Sequence, residues 1–110
     1  MVPVAVQDSD TLELILVAYA NQKALDRTIE TGKAVFWNTS HNELWEKGLS
    51  SGNAFFIKEI RVNYEQNSLL YLVHPKKRKI CHTKNSKGEA RNCYYRRLDF
   101  KSGELINLDP

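Results

Sequence analysis

Two apolar runs separated by a short polar segment limit the folds that this chain can adopt. Residues 54–64 (AFFIKEIRVNY) are rich in β-branched and aromatic side chains, which favour strands. Residues 69–74 (LLYLVH) form a second such run, and Pro75 is placed to stop it because proline has no backbone N–H to donate. Residues 65–68 (EQNS) between the two runs are typical of a turn. The pattern therefore predicts two partner strands in a β-rich domain.

A second strand pair is predicted in the N-terminal part of the chain. Residues 2–7 (VPVAVQ) carry a valine at every second position, a period of two that indicates a strand. Pro3 near its start favours an edge position in the sheet. Residues 8–11 (DSDT) are typical of a turn, and residues 12–19 (LELILVAY) predict the second strand of a hairpin.

One segment has the periodicity of an amphipathic helix. Small and apolar side chains recur at helical spacing between residues 24 and 29. Asn21 precedes them and can cap the first turn, because its side-chain oxygen accepts a free backbone N–H. Gly32 follows them and can end the helix in a left-handed conformation. The helix is predicted over Gln22–Thr31, and a short strand is predicted over residues 34–38.

The C-terminal part of the chain completes the predicted fold. A last strand is predicted over residues 92–99, and residues 100–110 form a tail that either pairs loosely or remains mobile. These elements predict an α+β fold of mostly antiparallel strands with one main helix. A chain of 110 residues fits a single domain, residues 1–110, whose modest core would gain from dimerisation.

The segment of residues 36–53 (FWNTSHNELWEKGLSSGN) combines large aromatic side chains with small polar ones. It holds both tryptophans of the chain, Trp37 and Trp45. Ser51 and Gly52, with their neighbours, can provide a backbone nest and side-chain donors for an anion. A packed turn held by the two tryptophans explains the same residues. A ligand-binding loop and a structural turn therefore both remain open.

Two cysteines and a neighbouring histidine are the candidate metal ligands. Cys81 and Cys93 are too few for a disulfide framework, and we recognise no secretory signal, so we expect reduced thiols. Zinc requires three or four thiolate or imidazole ligands, so a site here would need His82, His74 or a second subunit. Free thiols explain the cysteines equally well. His82 could instead be a general base or a polar loop residue.

The charge of the chain selects no class of ligand. A net charge of +3 admits an anionic small molecule as readily as nucleic acid. The basic run of residues 76–79 (KKRK), with the arginines and tyrosines of residues 91–97, could bind a nucleic acid through charge and stacking. We favour a solvated basic loop and expect no nucleic-acid partner. No segment has the length needed to cross a bilayer, and we expect a cytoplasmic protein.

Short motifs follow one another through the chain from residue 2 to residue 98. They are VPV at 2–4, QD at 7–8, LVAYAN at 16–21, AL at 24–25, TGKA at 31–34, FW at 36–37, ELWEKG at 43–48, SGN at 51–53, KEIR at 58–61, CHT at 81–83 and CYYRRL at 93–98. In these motifs and their order the chain resembles the phosphoribosyl-AMP cyclohydrolase family of histidine biosynthesis.

The resemblance implies an intertwined homodimer with active sites at the subunit interface. Enzymes of the family hydrolyse the N1–C6 bond of the adenine ring in N1-(5-phosphoribosyl)-AMP through a zinc-activated water. Three cysteines bind the zinc, two from one chain and one from the other, and a nearby acidic cluster binds magnesium. In this sequence the implied metal ligands are Cys81, Cys93 and Glu65, and the implied catalytic residue is His82. The implied residues that bind the purine ribonucleotide phosphate are Trp37, Ser40, Trp45, Ser51, Gly52, Arg96 and Arg97.

The chain departs from the family pattern in three segments. Residues 63–67 (NYEQN) replace an Asp-Cys-Asp-Gly-Asp segment, so Tyr64 stands for the third zinc cysteine and only Glu65 keeps a carboxylate. Because magnesium favours charged oxygen ligands, we expect its site to be badly weakened, and the zinc site to be weakened or lost. Residues 38–41 (NTSH) replace Ser-Arg-Ser-Arg and remove two bidentate phosphate ligands. Residues 84–90 form a longer connection than the family usually has.

Two functional interpretations follow from the resemblance and the departures. The first is a cyclohydrolase that opens the purine ring of N1-(5-phosphoribosyl)-AMP or a related nucleotide through a metal-activated water. The second is a non-catalytic or metal-free relative, a dimer that binds a nucleotide or acts as a scaffold. Bound zinc would favour the first interpretation.

Overall fold

Ten strands and one helix make up the described part of the chain. The computed structural model describes residues 1–47, 54–76 and 81–110, and of residues 81–83 and 90 it describes the backbone only. The strands are β1 (Val2–Asp8), β2 (Leu14–Ala20), β3 (Val35–Asn38), β4 (Glu43–Glu46), β5 (Phe55–Val62), β6 (Leu69–Pro75), β7 (Cys81–Lys84), β8 (Ala90–Arg91), β9 (Arg96–Leu98) and β10 (Leu105–Asn107), and the helix is α1 (Gln22–Thr31). One helix with mostly antiparallel strands confirms the predicted α+β fold.

The central sheet has the strand order β2-β1-β6-β5. The predicted hairpins are both present, because β1 pairs antiparallel with β2 and β5 pairs antiparallel with β6. The predicted edge position of β1 is wrong, since β1 also pairs in parallel with β6. That parallel ladder begins at Val4, opposite Leu69, so Pro3 lies where β1 has a neighbour on one side only. A proline is tolerated there because no hydrogen bond to β6 is required of it.

Helix α1 begins and ends at the predicted residues. The Asn21 side-chain oxygen accepts the Ala24 N–H at 2.9 Å, and Gly32 adopts a φ of +72° while its N–H donates to the Thr28 carbonyl. The Thr28 hydroxyl is buried and accepts the Val35 N–H at 2.9 Å, so it joins the helix to β3. The helix caps are therefore local, and the helix is held on the fold by this buried hydroxyl together with Ala24 and Leu25, which pack in or against the core.

The core lies between the central sheet, α1 and β3. Val4 and Val6 of β1 are fully buried, as the alternation in the sequence predicts. Phe36 of β3 stacks on Tyr71 of β6 with ring centroids 6.0 Å apart, and both rings are fully buried. Phe55 of β5 completes the aromatic part of the core. These contacts hold β3, and the hairpin that follows it, against one face of the sheet.

Three two-stranded sheets surround the central sheet, and they pair β3 with β4, β7 with β8, and β9 with β10. Residues 36–53 were predicted as a loop, but Glu43–Glu46 forms β4 and turns the first half of this segment into a hairpin. The last predicted strand, residues 92–99, is shorter in the structure, where Arg96–Leu98 forms β9. The tail pairs through β10, which confirms one of its two predicted alternatives. Within the described residues no helix has the length and apolar character needed to cross a membrane.

Candidate functional site

The β3–β4 hairpin presents one tryptophan to solvent. Trp45 lies opposite Phe36 in the register, with ring centroids 5.5 Å apart, and remains 42% exposed. The Lys47 ammonium lies 5.9 Å from the centre of the Trp45 ring and 5.5 Å from that of Phe55. Trp37 is on the same strand as Phe36 and is partly buried. The hairpin therefore offers an aromatic surface with a cation beside it, which suits a flat, electron-rich ring next to an anion.

The turn of this hairpin is organised by an amide. The Asn38 side-chain oxygen accepts the backbone N–H groups of Ser40 at 2.9 Å and of His41 at 3.1 Å. Asn42 adopts a φ of +49°, a conformation that asparagine tolerates better than most residues. Ser40 is exposed at the tip. Asn38, the first residue of the segment that replaces Ser-Arg-Ser-Arg, therefore shapes the turn, and Ser40 contributes a hydroxyl there.

The turn between β5 and β6 is held by its own polar groups. The Asn63 side-chain oxygen accepts the Glu65 N–H at 2.8 Å, and the Asn63 carbonyl accepts the Gln66 N–H at 2.8 Å. Tyr64 is 97% exposed, and Glu65 is exposed beside it. The turn presents one carboxylate, and the Asn63 oxygen that could replace a second one already accepts a hydrogen bond. This donor set does not fit a magnesium ion, which favours several charged oxygens.

The segment that carries Cys93 is anchored to the central sheet. The Cys93 N–H donates to the Ile15 carbonyl of β2 at 3.0 Å, and the residue is exposed. In the β7–β8 ladder Cys81 lies opposite Arg91, two residues before Cys93, so the backbone brings the two cysteines to one region. Thiolate and imidazole are ligand types that suit zinc, and Cys81, His82 and Cys93 supply these residue types in this part of the backbone. The His74 side chain makes a different contact, because its Nδ1 lies 3.0 Å from an Asp10 carboxylate oxygen.

Two guanidinium groups lie near one tyrosine ring beside β9. The Arg96 guanidinium carbon lies 5.2 Å from the centre of the Tyr95 ring, and the Arg91 guanidinium lies over the same ring at 3.5 Å. Arg97 follows Arg96 in the strand, so their side chains point to opposite faces. A single phosphate group on one face of β9 would therefore meet one of the two arginines.

A cavity lies beside Cys93 and was not predicted from the sequence. It has a volume of about 220 Å³ and is lined by Glu13, Asn92, Tyr94, Tyr95, Leu108 and Asp109. Asn92 is only 8% exposed, and its side-chain oxygen has no hydrogen-bond partner among the described residues. The lining residues come from three distant parts of the chain and have no common spacing. The one available signal was the position of Asn92, Tyr94 and Tyr95 around a candidate metal ligand.

The comparison with known families identifies the chain. The phosphoribosyl-AMP cyclohydrolase family model matches residues 16–95. The chain belongs to this family. The proteins named phosphoribosyl-AMP cyclohydrolase from Archaeoglobus fulgidus and Cenarchaeum symbiosum are 42% and 44% identical over 99 and 98 residues, which are 90% and 89% of this chain and 86% and 85% of theirs. The histidine biosynthesis bifunctional protein HisIE of Aquifex aeolicus is 37% identical over 90% of this chain and 46% of its own length.

The predicted site residues lie on several separate strand pairs of the family fold. Trp37, Ser40 and Trp45 belong to the β3–β4 hairpin, Glu65 to the β5–β6 turn, Cys81 and His82 to β7, Cys93 to the segment before β9, and Arg96 and Arg97 to β9. Ser51 and Gly52 lie outside the described residues, as do the side chains of Cys81 and His82. Where side chains are described, no three acidic, histidine or cysteine residues come together as metal ligands. Arg96 and Arg97 lie beyond the stretch that the family model matches.

Proposed function

We propose that this protein hydrolytically opens the purine ring of N1-(5-phosphoribosyl)-AMP or a related nucleotide. The observation that carries the proposal is the family match over residues 16–95, which contains Cys81, His82 and Cys93 in order. The relatives that the chain matches over about nine tenths of its length have this activity in their names. We place the protein in the cytoplasm, as a single domain that acts as a homodimer.

The metal chemistry of the proposal depends on three residues near one another in the backbone. Cys81 and Cys93 would hold a zinc ion, with His82 as a third ligand or as the group that moves a proton. Bound zinc supplies a hydroxide near neutral pH. The β5–β6 turn supports a reaction without magnesium, because it offers only the Glu65 carboxylate.

The substrate would be held by residues of the β3–β4 hairpin, of the segment after it and of β9. The exposed face of Trp45 suits stacking with the purine ring, with Trp37 supporting the strand that positions it. Ser40, Ser51 and Gly52 would donate hydrogen bonds to phosphate oxygens. Arg96 and Arg97 would contact the two phosphate groups from opposite faces of β9, since one phosphate cannot meet both. The nucleotide has two phosphates, so two separate cationic contacts suit it.

Large apolar side chains on the surface support the homodimer. On the central sheet Val17, Tyr19, Phe56 and Val62 are between 40% and 60% exposed. The C-terminal hairpin exposes Leu98, Phe100, Leu105 and Leu108, of which Phe100 is 88% exposed. Exposed apolar residues on two faces of one small domain are typical of a chain that buries surface against a partner. A dimer would also bring two copies of the β3–β4 hairpin and of the β9–β10 hairpin into one assembly.

The activity is tested with the purified protein, N1-(5-phosphoribosyl)-AMP and zinc. Ring opening changes the ultraviolet absorbance of the purine, so we expect a time-dependent absorbance change that depends on zinc. Cys81→Ser should remove bound zinc and the reaction while leaving the oligomeric state unchanged. Ser102→Ala, a change of similar size in the C-terminal hairpin, is the matched control and should keep both. A folded, zinc-loaded wild-type protein that leaves the nucleotide intact would contradict the proposal.

A second candidate function, a non-catalytic dimer that binds a nucleotide, is favoured by the β5–β6 turn. Tyr64 stands where the family has a cysteine, and its phenol is directed into solvent at 97% exposure. Metal analysis separates the two functions, because a stoichiometric zinc ion in the purified wild-type protein would exclude a metal-free role. In the same assay Tyr64→Cys should increase zinc affinity if the rest of the ligand set is in place. Glu65→Gln, one residue away, should leave zinc affinity unchanged.

A further inference from the structure

The tail of residues 105–110, which begins with β10, returns to the segment that carries Cys93. The Leu108 N–H donates to the Tyr95 carbonyl at 2.7 Å. The Asp109 carbonyl accepts an Arg91 N–H at 2.8 Å. Residues 91 and 95 lie two positions before and two positions after Cys93. The tail therefore contacts the chain on both sides of this cysteine.

Asp109 also contacts the connection between β7 and β8. The Asn85 amide nitrogen donates to the Asp109 carboxylate at 3.0 Å. This connection joins the two strands of the β7–β8 ladder, in which the backbone of Cys81 lies opposite Arg91. Asp109 thus contacts the β7–β8 unit twice, through its carboxylate at Asn85 and through its carbonyl at Arg91.

The Arg91 side chain is held by the tail and by an aromatic ring. Its guanidinium carbon lies 3.5 Å from the centre of the Tyr95 ring, and that of Arg96 lies 5.2 Å from the same centre. A planar guanidinium group can stack on a ring and donate hydrogen bonds at its edge at the same time. Because the tail accepts one of these bonds, the position of Arg91 in the ladder depends on Asp109.

The two polar atoms of the Asn85 side chain make different contacts. Its oxygen accepts the backbone N–H groups of Lys87 at 3.0 Å and of Glu89 at 2.9 Å, which shapes the turn of the connection. Its nitrogen donates to Asp109 and lies 3.5 Å from a Glu89 carboxylate oxygen. A substitution that changes only the nitrogen therefore keeps the turn and alters the contact with the tail.

We propose that residues 105–110 form a latch, and that Asp109 in this latch is a positioning residue for the zinc ligands Cys81 and Cys93. The identity of these ligands rests on the proposed function. The two cysteines are twelve positions apart in the chain, so a metal that binds them has to find their backbones already close together or has to order the connection itself. Ordering a connection during binding costs conformational entropy and lowers affinity. The latch raises the affinity for zinc because it orders the β7–β8 unit beforehand.

The test exchanges the two groups of the contact between Asn85 and Asp109. Asn85→Asp keeps the oxygen that accepts within the connection and places a second carboxylate against Asp109. Adding Asp109→Asn to the same chain restores a carboxylate–amide pair in the opposite order and returns the net charge to that of the wild type. The measurement is the affinity of the full-length protein for Co²⁺, which replaces zinc and absorbs strongly in the ultraviolet when thiolates bind it.

Asn85→Asp should lower the Co²⁺ affinity by about tenfold, because repulsion replaces a hydrogen bond to a charged group. The double variant should return to within about twofold of the wild-type affinity. Charge alone would have the opposite effect, since an added negative charge attracts a cation. Asn21→Asp is the matched control, because aspartate caps a helix as well as asparagine does, and it should bind Co²⁺ as the wild type does.

A tail that only stabilises the fold would give a different result. The melting temperature would then fall in Asn85→Asp while the Co²⁺ affinity stayed at the wild-type value, and this outcome would overturn the proposal. An affinity that is lost in Asn85→Asp and not regained in the double variant would also overturn it. That outcome would assign the loss to repulsion from Glu89, the other carboxylate near the Asn85 nitrogen.

Arg91→Lys tests the same latch if Asn85→Asp does not fold. Lysine keeps the positive charge and lacks the planar group that stacks on Tyr95 and donates to Asp109. The Co²⁺ affinity should therefore fall by about threefold or more. Arg27→Lys, on the exposed surface of α1, is the control and should bind as the wild type does. Equal Co²⁺ affinities of these two variants would overturn the proposal.

Hydrogen exchange in the metal-free protein separates the latch from the enzymatic activity. The backbone N–H groups of Gly88 and Cys93, which donate to the Asn85 and Ile15 carbonyls, should exchange faster in Asn85→Asp and regain protection in the double variant. Together with the expected Co²⁺ affinities, in a protein that opens no purine ring, this pattern would sustain the latch and exclude the activity. Equal exchange in the three proteins would overturn the latch even if the wild type opens the ring. A wild-type protein that binds no Co²⁺ would overturn the role of Asp109 toward zinc.

Discussion

Two buried hydroxyl groups in the core, those of Thr28 and Tyr71, differ in their hydrogen bonds. The Thr28 hydroxyl donates to the Ala24 carbonyl at 2.9 Å and accepts the Val35 N–H at 2.9 Å. Within the part of the chain that the structure describes, the Tyr71 hydroxyl makes no hydrogen bond. Burial raises the pKa of Tyr71 above its ordinary value of 10.0, an effect that the neighbouring Thr28 hydroxyl partly opposes. Removal of these two oxygens should therefore have different consequences.

Thr28→Val should lower the free energy of unfolding by about 1–3 kcal/mol, because the Val35 N–H is then buried without an acceptor. Tyr71→Phe is the matched change and should alter the free energy of unfolding by less than about 1 kcal/mol, since it leaves no group unpaired. Urea denaturation of the three proteins measures both values. Equal losses of stability in the two variants would show that the hydrogen bond between the Thr28 hydroxyl and the Val35 N–H gives no particular stabilisation.

The residues of the candidate site could be predicted only where they belong to a motif. Cys81, Cys93 and Trp45 were predicted in that way, and their roles in the site stay predictions. Asn92 was not, because its importance depends on a missing hydrogen bond, which no sequence pattern records. Asp109 was also missed, since its position depends on a hydrogen bond from Asn85, a residue 24 positions earlier in the chain.

A single residue fixes each end of helix α1, through its side chain at the start and through its backbone conformation at the end. Asn21→Ala removes the oxygen that accepts the Ala24 N–H, and we expect a loss of about 0.5–2 kcal/mol in the free energy of unfolding. Lys23→Ala, an exposed change in the first turn, is the control and should stay within about 0.5 kcal/mol. Thermal or urea denaturation measures the difference. Equal stability of both variants would mean that packing alone sets the start of the helix.

The turn between β9 and β10 contains a carboxylate that responds to pH. The Ser102 hydroxyl donates to the Asp99 carboxylate at 2.7 Å, and this bond, with backbone N–H groups of Lys101 and Ser102, lowers the pKa of Asp99 below its ordinary value of 3.8. Because the ionised form is the one that accepts, Asp99 stabilises the hairpin fully above its ordinary pKa. This contribution is lost as the pH falls through the lowered pKa.

Ser102→Ala should therefore raise the pKa of Asp99 toward 3.8. Carbon NMR titration of the Asp99 carboxyl group in the wild-type protein and the variant measures the change. Ser86→Ala removes a hydroxyl outside this turn and should leave the titration of Asp99 as it is in the wild-type protein. An unchanged pKa in Ser102→Ala would assign the effect to the backbone N–H groups instead.

The elements that the sequence predicts well are those with strong local signals. Helix α1 has an N-cap and a glycine at its end, and β5 and β6 have β-branched and aromatic runs on either side of a polar turn. Strand β4 (Glu43–Glu46) has two charged residues among four and is largely exposed, so its pairing with β3 leaves no hydrophobic pattern. The position of β1 within the sheet depends on β6, which lies more than sixty residues away in the chain. Pro3 wrongly suggested an edge strand, because at that residue only one side of β1 is paired.

For the whole molecule, the exposed apolar surface predicts self-association. Leu98 and Leu105 lie opposite each other in the β9–β10 ladder and are 59% and 60% exposed, so they form an apolar pair on one face. We expect light scattering to give a mass about twice the 12.7 kDa of the chain. Leu105→Lys should shift the mass toward that of a monomer if this hairpin contacts the second copy.

Lys101→Glu, an exposed change in the turn of the same hairpin, is the control and should retain the mass of the dimer. A wild-type protein with the mass of one chain would contradict the proposed homodimer. A dimer that persists in Leu105→Lys would place the interface on the central sheet.

Because β1 lies between β2 and β6, it pairs with β2 early in translation and with β6 only much later. The β1–β2 hairpin is complete once residue 20 has emerged, but the strand that covers its other side spans Leu69–Pro75. For the synthesis of about fifty further residues, the nascent chain presents the unpaired backbone of β1 to its surroundings. At roughly 5–20 residues per second this interval lasts several seconds. Chaperones that recognise open strand edges would have their longest opportunity to act on this protein during that delay.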